Sequence, residues 1–249
     1  MKIGILGYGE IGKAIHKVYE NCNVDLFQVL VKDLNRDDGL TELDVLNVSI
    51  PYNDSFDFVN AVKNEIESTN AKLTIINSTV AVGTIRKLKS LLPEKKIVHS
   101  PCRGVHPNLY EGIMTFEKLV GSTEEEDTLF AVNHLRSLGV KAIPCSNSET
   151  TELAKLLDTS YYGICIAYHG EAMKACEKFG ANFEQVMTLF NSTYNEGYTK
   201  LGKSNVVRPV LTPPVGGIGG HCVVENAELL LKQFDSSALE LILQYKRNT

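Results

Sequence analysis

The cysteines of this chain lack every spacing that would make them a scaffold. Cys22, Cys102, Cys145, Cys165, Cys176 and Cys222 include no C-x-x-C pair and no paired metal-ligand spacing, which argues against a disulfide framework or a zinc knot. Reduced thiols in a cytoplasmic protein are the simpler expectation. No stretch approaches the roughly 20 apolar residues that cross a bilayer. Residues Met1 to Gly7 enter an apolar strand directly, without the basic region, long apolar run and small-residue cleavage site of a signal peptide. Positive charge is not in excess either. The formal net charge is −5, and the one basic cluster, Arg86 to Lys89, reads as a solvated helix face, so neither nucleic acid nor membrane is expected as a partner. Internal repeats and low-complexity segments are absent too. What remains is a chain of 249 residues, 43% hydrophobic, with material for a principal domain and a smaller one.

Short apolar runs alternate with helical patterns through the first 145 residues, as in a doubly wound parallel α/β sheet. Strands are predicted at Lys2 to Leu6, Leu26 to Val31, Val45 to Ile50, Leu73 to Ile76, Lys96 to His99 and Lys141 to Pro144. Helices are predicted near Ile11 to Tyr19, Phe56 to Ser68, Thr84 to Leu91 and Glu124 to Leu138. Ile3-Gly4-Ile5-Leu6 and Leu73-Thr74-Ile75-Ile76 are nearly continuous apolar runs, as parallel strands covered on both faces require. From Glu149 a proline-free run reaches the stop signal Phe179-Gly180, one long helix of roughly 45 Å at about 1.5 Å per residue. Its apolar and aromatic residues crowd more than one face, which predicts wide burial, against a second subunit included. Helices are also expected at Asn182 to Tyr194 and Ala227 to Phe234, with Val223 to Leu230 helical in pattern as well, whereas Pro209, Pro213 and Pro214 forbid regular helix. A boundary at Ser146 divides the chain into residues 1–146 and an all-helical domain of residues 147–249.

Gly7-Tyr8-Gly9-Glu10-Ile11-Gly12 follows a strand and opens a helix, the context that makes G-x-G-x-x-G informative. The first glycine allows the tight turn, the second lets backbone approach a pyrophosphate at the helix amino terminus, and the third permits close helix-to-strand packing. Asp33 closes the second strand 21 residues after Gly12. A carboxylate there accepts hydrogen bonds from ribose hydroxyls and favours NAD, while Lys32 and Arg36 beside it keep NADP open. Pro51, after the third strand, joins the cofactor-binding set. Asn77-Ser78-Thr79-Val80-Ala81-Val82-Gly83-Thr84 places two hydroxyls at the carboxyl end of the fourth strand, where open α/β sheets bind ligands and where a helix cap is the simpler alternative. Near the other end of the chain, Gly216-Gly217-Ile218-Gly219-Gly220-His221-Cys222 sets one thiol in a tightly foldable backbone.

The order of glycine turn, Ser-Thr-Val-x-x-Gly-Thr, Glu152-Leu153-Ala154-Lys155-Leu156 and Gly-x-Gly-Gly-x-Cys resembles the nucleotide-sugar 6-dehydrogenases that act on UDP-glucose, UDP-N-acetylmannosamine and GDP-mannose. His221 beside the cysteine is most similar to the N-acetylmannosamine branch. The resemblance implies a Rossmann-type domain, NAD, a homodimer, and oxidation of a primary alcohol to a carboxylate in two hydride transfers. It implies that Cys222 holds the aldehyde as a thiohemiacetal and then a thioester. Lys155 matches the lysine that stabilises the alkoxide or oxyanion, Thr79 the threonine near the nicotinamide, and Glu111 the glutamate at its carboxamide end. The active crevice is expected between the domains, with the glycine loop folded over the nicotinamide end.

The departures from this pattern are informative. Ser100-Pro101-Cys102 stands where the family has Asn-Pro-Glu, so the glutamate tied to thioester hydrolysis is absent. Arg103 and His106 nearby are candidates for binding an anionic group or replacing the base. Thr159 replaces an asparagine and Asn226 an aspartate. The chain ends 27 residues after Cys222, where the family continues into a nucleotide-gripping domain, so the small-molecule substrate is either a nucleotide sugar or something smaller. Two alternatives stay open: an NAD-binding regulatory protein with little or no turnover, and a two-electron dehydrogenase of the β-hydroxyacid type that needs no cysteine.

Overall fold

The apolar runs of the first hundred residues become the strands of one sheet in the computed structural model, which describes residues 1–22, 26–105, 107–219 and 221–247. They are β1 (Lys2–Leu6), β2 (Gln28–Asp33), β3 (Arg36–Asp37), β4 (Val45–Val48), β5 (Leu73–Ile76) and β6 (Lys96–His99). Their spatial order is β3-β2-β1-β4-β5-β6. All neighbours pair in parallel except β3, which returns antiparallel along β2 with Asp33 opposite Arg36. Nothing in the hydrophobic pattern announces β3, because an edge strand of two charged residues buries no side chain; such charge also discourages further strand pairing at the edge.

Period-two alternation distributes the strand residues between two cores. Ile3, Ile5, Val45, Leu73, Ile75 and Val98 face one side, against α1 (Glu10–Cys22), α4 (Leu109–Thr115) and α5 (Glu125–Ser137). Leu6, Leu46, Val48, Ile76 and Ile97 face the other, against α2 (Phe58–Thr69) and α3 (Thr84–Leu91). Both faces are therefore dry, which explains the uninterrupted apolar strands. α2 begins where Asp57 accepts a hydrogen bond from the Asn60 amide at 3.0 Å, an ordinary side-chain cap. The expected strand near Lys141 is β8 (Ala142–Pro144), and it pairs with β7 (Lys118–Val120) in a separate two-stranded sheet. β7 and α4 were not anticipated; three and seven residues are too few for periodicity to register. The solvated basic face also needs correction. Arg86 is exposed, but the Lys89 side chain is buried, donating to Asp127 at 2.8 Å and to the Lys95 carbonyl at 2.8 Å.

Contacts divide the chain into two compact units, residues 1–155 and 156–249, whereas the sequence reading put a boundary at Ser146. The long helix α6 (Ser148–Phe179) contributes its first turns to unit 1 and its remainder to unit 2. Unit 2 continues through a π-helical stretch (Glu184–Leu189), α7 (Phe190–Lys200), a 3-10 turn (Ser204–Val206), α8 (His221–Leu231) and α9 (Ser237–Gln244). The proline stretch carries no helix, as its missing amides require. Phe190, Tyr194 and Tyr198 stack one helical turn apart with ring centroids 5.6 and 5.2 Å apart, and the Arg208 guanidinium lies 4.4 Å from the centre of the Tyr194 ring. No helix of the described residues is long and apolar enough to cross a membrane.

One polar chain crosses the first core. Asn47 Nδ2 donates to the Tyr19 hydroxyl at 3.1 Å, and that hydroxyl meets His134 Nε2 at 2.8 Å. Burial pushes the His134 pKa down to about 4, so the folded protein holds a neutral ring while the unfolded chain takes up a proton below about pH 6.5. Stability from this group is complete above that value and declines toward pH 4. Lowering the pH from 7 to 5 should cost about 2 kcal/mol through His134. Urea unfolding of the protein and of His134→Gln at both pH values checks this: the substitution should flatten the pH dependence by that amount.

Candidate functional site

The carboxyl ends of the central strands are joined by backbone hydrogen bonds: Gly7 N to Lys32 O at 2.9 Å, Ser49 N to Leu6 O at 2.7 Å, Asn77 N to Val48 O at 2.8 Å and Ser100 N to Ile76 O at 2.9 Å. β2 and β4 flank β1 on opposite sides, so the connections from β1 and β4 leave in opposite directions. Open α/β sheets bind their ligands at such a switch point.

Two of the glycines here are required by the protein itself. Gly7 adopts φ 88°, and a Cβ on Gly12 would sit 2.0 Å from the Gly7 carbonyl oxygen. Gly9 differs: a Cβ there would meet no atom within 4 Å. Its exposed backbone, followed by Glu10 and Ile11 in the first turn of α1, leaves the space that a phosphate at a helix amino terminus needs. Asp33 is half-buried and accepts hydrogen bonds from the amides of Tyr8 and Leu34. A carboxylate has about four lone-pair sites, so capacity remains for ribose hydroxyls. These residues fit a dinucleotide.

The neighbouring strand ends bring up further groups. Pro51 is exposed just beyond β4, and Ser78 Oγ donates to the Ile50 carbonyl at 2.6 Å, with Thr79 half-buried next to it. His99 is wholly buried, with Nε2 3.1 Å from the Ser78 carbonyl and Nδ1 2.9 Å from Thr151 Oγ1 on α6. Burial pushes its pKa down to about 3, with the charges of Lys118 and Lys155 acting in the same direction. A neutral ring with its proton on Nε2 satisfies the carbonyl. Glu152, also wholly buried, accepts from the Gly83 amide at 2.7 Å and the Ile85 amide at 2.9 Å. It thus caps α3 from another helix and fixes the Ser78 to Gly83 loop against the turn of α6 that carries the half-buried Lys155. Burial raises the Glu152 pKa against the pull of these two amides.

His99 and Glu152 were not singled out from the sequence. An acid three residues ahead of a lysine reads as an ordinary helical neighbour, and no local signal shows that it points to a distant helix end. Lys118 was missed as well. It is buried, donates to the Ser100 carbonyl, and places Nζ 3.6 Å from Cys102 Sγ. Burial lowers its pKa. Arg103 is exposed, 5.5 Å from the centre of the Phe116 ring. Glu111 lies in the first turn of α4 and pairs with Lys17, two turns along α1, at 3.8 Å. His106, Gly220 and the side chain of His221 lie outside the described residues.

Within unit 2, Cys222 is exposed in the first turn of α8. That helix packs closely on α6 because Gly163 has no side chain; a Cβ there would lie 2.5 Å from Val223. The glycine loop is pinned by the Ile218 amide, which donates to the Tyr245 carbonyl at 2.6 Å. Asn226, one turn beyond Cys222, is buried with Nδ2 lacking a hydrogen-bond partner among the described residues.

Residues 149–247 match the family model for the central domain of the UDP-glucose/GDP-mannose dehydrogenase family. The chain resembles that family. A UDP-N-acetyl-D-mannosamine dehydrogenase of Methanococcus vannielii is 26% identical over 75% of the chain and 39% of its own length; the chain thus spans about two fifths of this relative. The solved UDP-D-ManNAc dehydrogenase of Pyrococcus horikoshii superposes with a TM-score of 0.76 at 18% identity, over 99% of the chain and 68% of its own. That likeness shows the fold. A probable 3-hydroxyisobutyrate dehydrogenase of Dictyostelium discoideum is 22% identical over 97% of the chain and 81% of its own length.

The two glycines at positions 9 and 12 should separate folding from binding. Gly12→Ala drives a methyl into the Gly7 carbonyl and should cost at least about 2 kcal/mol, with loss of dinucleotide binding. Gly9→Ala meets no protein atom and should leave stability within about 1 kcal/mol. It should nonetheless weaken NAD binding at least tenfold, roughly 1.4 kcal/mol. Thermal unfolding and calorimetric titration with NAD of both variants provide the check.

Proposed function

We propose that the protein is an NAD-dependent dehydrogenase that oxidises the primary alcohol of a sugar-like substrate through an adduct on Cys222. The observation that carries this reading is the glycine turn with an open Gly9 facing a strand-end carboxylate, in a chain whose residues 149–247 match the dehydrogenase family model. NAD, when bound, supplies the hydride acceptor. Gly9 and the α1 amino terminus hold its phosphates, Asp33 its ribose hydroxyls, and Pro51, Ser78, Thr79 and Glu111 line the remainder. Lys155 stabilises the substrate alkoxide as the carbinol carbon gives up hydride, a fixed charge needing no solvent reorganisation. Cys222 Sγ then adds to the aldehyde carbon, forming a thiohemiacetal. After the reduced cofactor is exchanged for a second NAD, loss of a second hydride to it and of the hydroxyl proton leaves a thioester, and water releases the carboxylate and restores the thiol. We place the enzyme in the cytoplasm, where its six free cysteines remain reduced. It pairs as a homodimer through exposed apolar residues of α6 and the helical segment after it; Leu157, Tyr161 and Tyr168 form one stripe, and Leu189 at the end of the π-helical stretch and Phe190 at the start of α7 stand exposed.

A second reading is favoured by the near-complete span shared with the hydroxyisobutyrate-type relative: a two-electron dehydrogenase of a hydroxyacid, with Lys155 in the same role and Cys222 idle. Counting NADH per substrate with UDP-N-acetyl-D-mannosamine and with 3-hydroxyisobutyrate distinguishes them. Two NADH per sugar are expected. Cys222→Ala should abolish the second, and Lys155→Met should lower kcat by about 10²- to 10³-fold. A single NADH per molecule that survives Cys222→Ala would establish the second reading instead. Dinucleotide binding without turnover of either compound would mark a regulatory protein.

A further inference from the structure

Lys32, His16 and Arg36, basic side chains described near the ribose carboxylate, each meet an acidic partner, and these pairings bear on which dinucleotide the turn accepts. Lys32 Nζ is 2.8 Å from Glu65 Oε2 on α2. His16 meets the Tyr8 hydroxyl through Nδ1 at 2.5 Å and Glu20 through Nε2 at 3.5 Å. Arg36 is the guanidinium beside the turn. It lies opposite Asp33 in the β2–β3 register, with its guanidinium carbon 5.3 Å from the centre of the Tyr8 ring. Its Nε and Nη2 atoms, however, donate to Asp38 at 3.0 and 2.7 Å.

Asp38 is itself held in place. Its Oδ2 accepts from the Val31 amide at 2.9 Å, and its own amide donates to the Val31 carbonyl at 2.9 Å. The guanidinium and that amide hold the Asp38 carboxyl below its ordinary range, so it stays ionised. A phosphate on the adenosine 2′-hydroxyl would therefore face Asp33 with the nearest guanidinium fork already engaged. Asp37, between Arg36 and Asp38, adds a further negative charge and accepts the Gly39 amide at 2.9 Å.

We infer that the Arg36–Asp38 pair on the β2–β3 hairpin sets dinucleotide choice, Asp38 withholding Arg36 from a 2′-phosphate so that the chain takes NAD. This rests on the dinucleotide reading above. Neutralising Asp38 frees a fork whose geometry suits a phosphate bidentately, while the Tyr8 ring still holds the guanidinium nearby by cation–π attraction.

Calorimetric titration of the full chain with NAD and NADP tests the assignment without requiring turnover. Wild-type protein should prefer NAD. Asp38→Asn, which retains an acceptor for the Val31 amide, should tighten NADP binding by about tenfold and leave NAD within about threefold, roughly the 0.6 kcal/mol of one RT. The double variant Arg36→Ala/Asp38→Asn should lose the gain, which a general reduction of negative charge would not. If Asp38→Asn proves unstable on heating, Asp38→Ser keeps an acceptor and carries the same comparison. Unchanged NADP affinity in the folded Asp38 variant, with NAD binding intact, overturns the inference, as does a gain that persists without Arg36. Failure of the wild-type protein to bind either dinucleotide refutes the dinucleotide reading and the inference with it.

Discussion

A buried carboxylate holds the candidate site of unit 1 together. Glu152 is removed from water at a cost that only good partners offset. Its partners are the two backbone amides at the start of α3, groups that would otherwise be orphaned at a helix amino terminus. Each defect satisfies the other. The loop after β5, with Ser78 and Thr79, is thereby fixed relative to the helical turn bearing Lys155. Side chains on separate elements can share chemistry only if such a link fixes their spacing, because a misplacement of about 1 Å can cost about 10² in rate.

The charges around the strand ends follow one pattern: basic groups are either neutral or matched. His99 is kept neutral by burial, and Lys118 is pushed in the same direction with a carbonyl and a thiol as its hydrogen-bond partners. Lys32 and Arg36 each meet a carboxylate. Positive charge is thus restrained at these strand ends, and the open backbone at Gly9 before α1 is the feature with room for a phosphate. Cys102, at the position where the family resemblance implies a glutamate, is engaged by Lys118, so that place in the fold holds a thiol and an amine where a carboxylate was expected.

Much of this was legible in the sequence. The strands β1, β5 and β6 and the helix α3 fall at the expected residues, because apolar runs covered on both faces and an amphipathic helix between them leave strong patterns. The glycine turn and Asp33 were readable for a similar reason: each constraint is local, fixed by a turn, a strand end and the first turn of a helix. β3, α4 and β7 were not readable, being too short to carry a period.

The sequence by itself determined the alternation of strands and helices, the conformation demanded at Gly7 and Gly12, and the identity of the residues available for chemistry. Only the tertiary structure decided their use. It turned Glu152 from a helical acid into the cap of a distant helix, Lys89 from a solvated charge into a buried one, and Arg36 from a free cation beside Asp33 into the partner of Asp38. The physical reason is common to all three. A side chain's charge state and reach depend on what is packed against it: the partners of Glu152 and Lys89 are 67 to 69 and 38 residues away in the chain, spacings that no local pattern records, and Asp38, only two residues from Arg36, is held in place by its pairing with Val31.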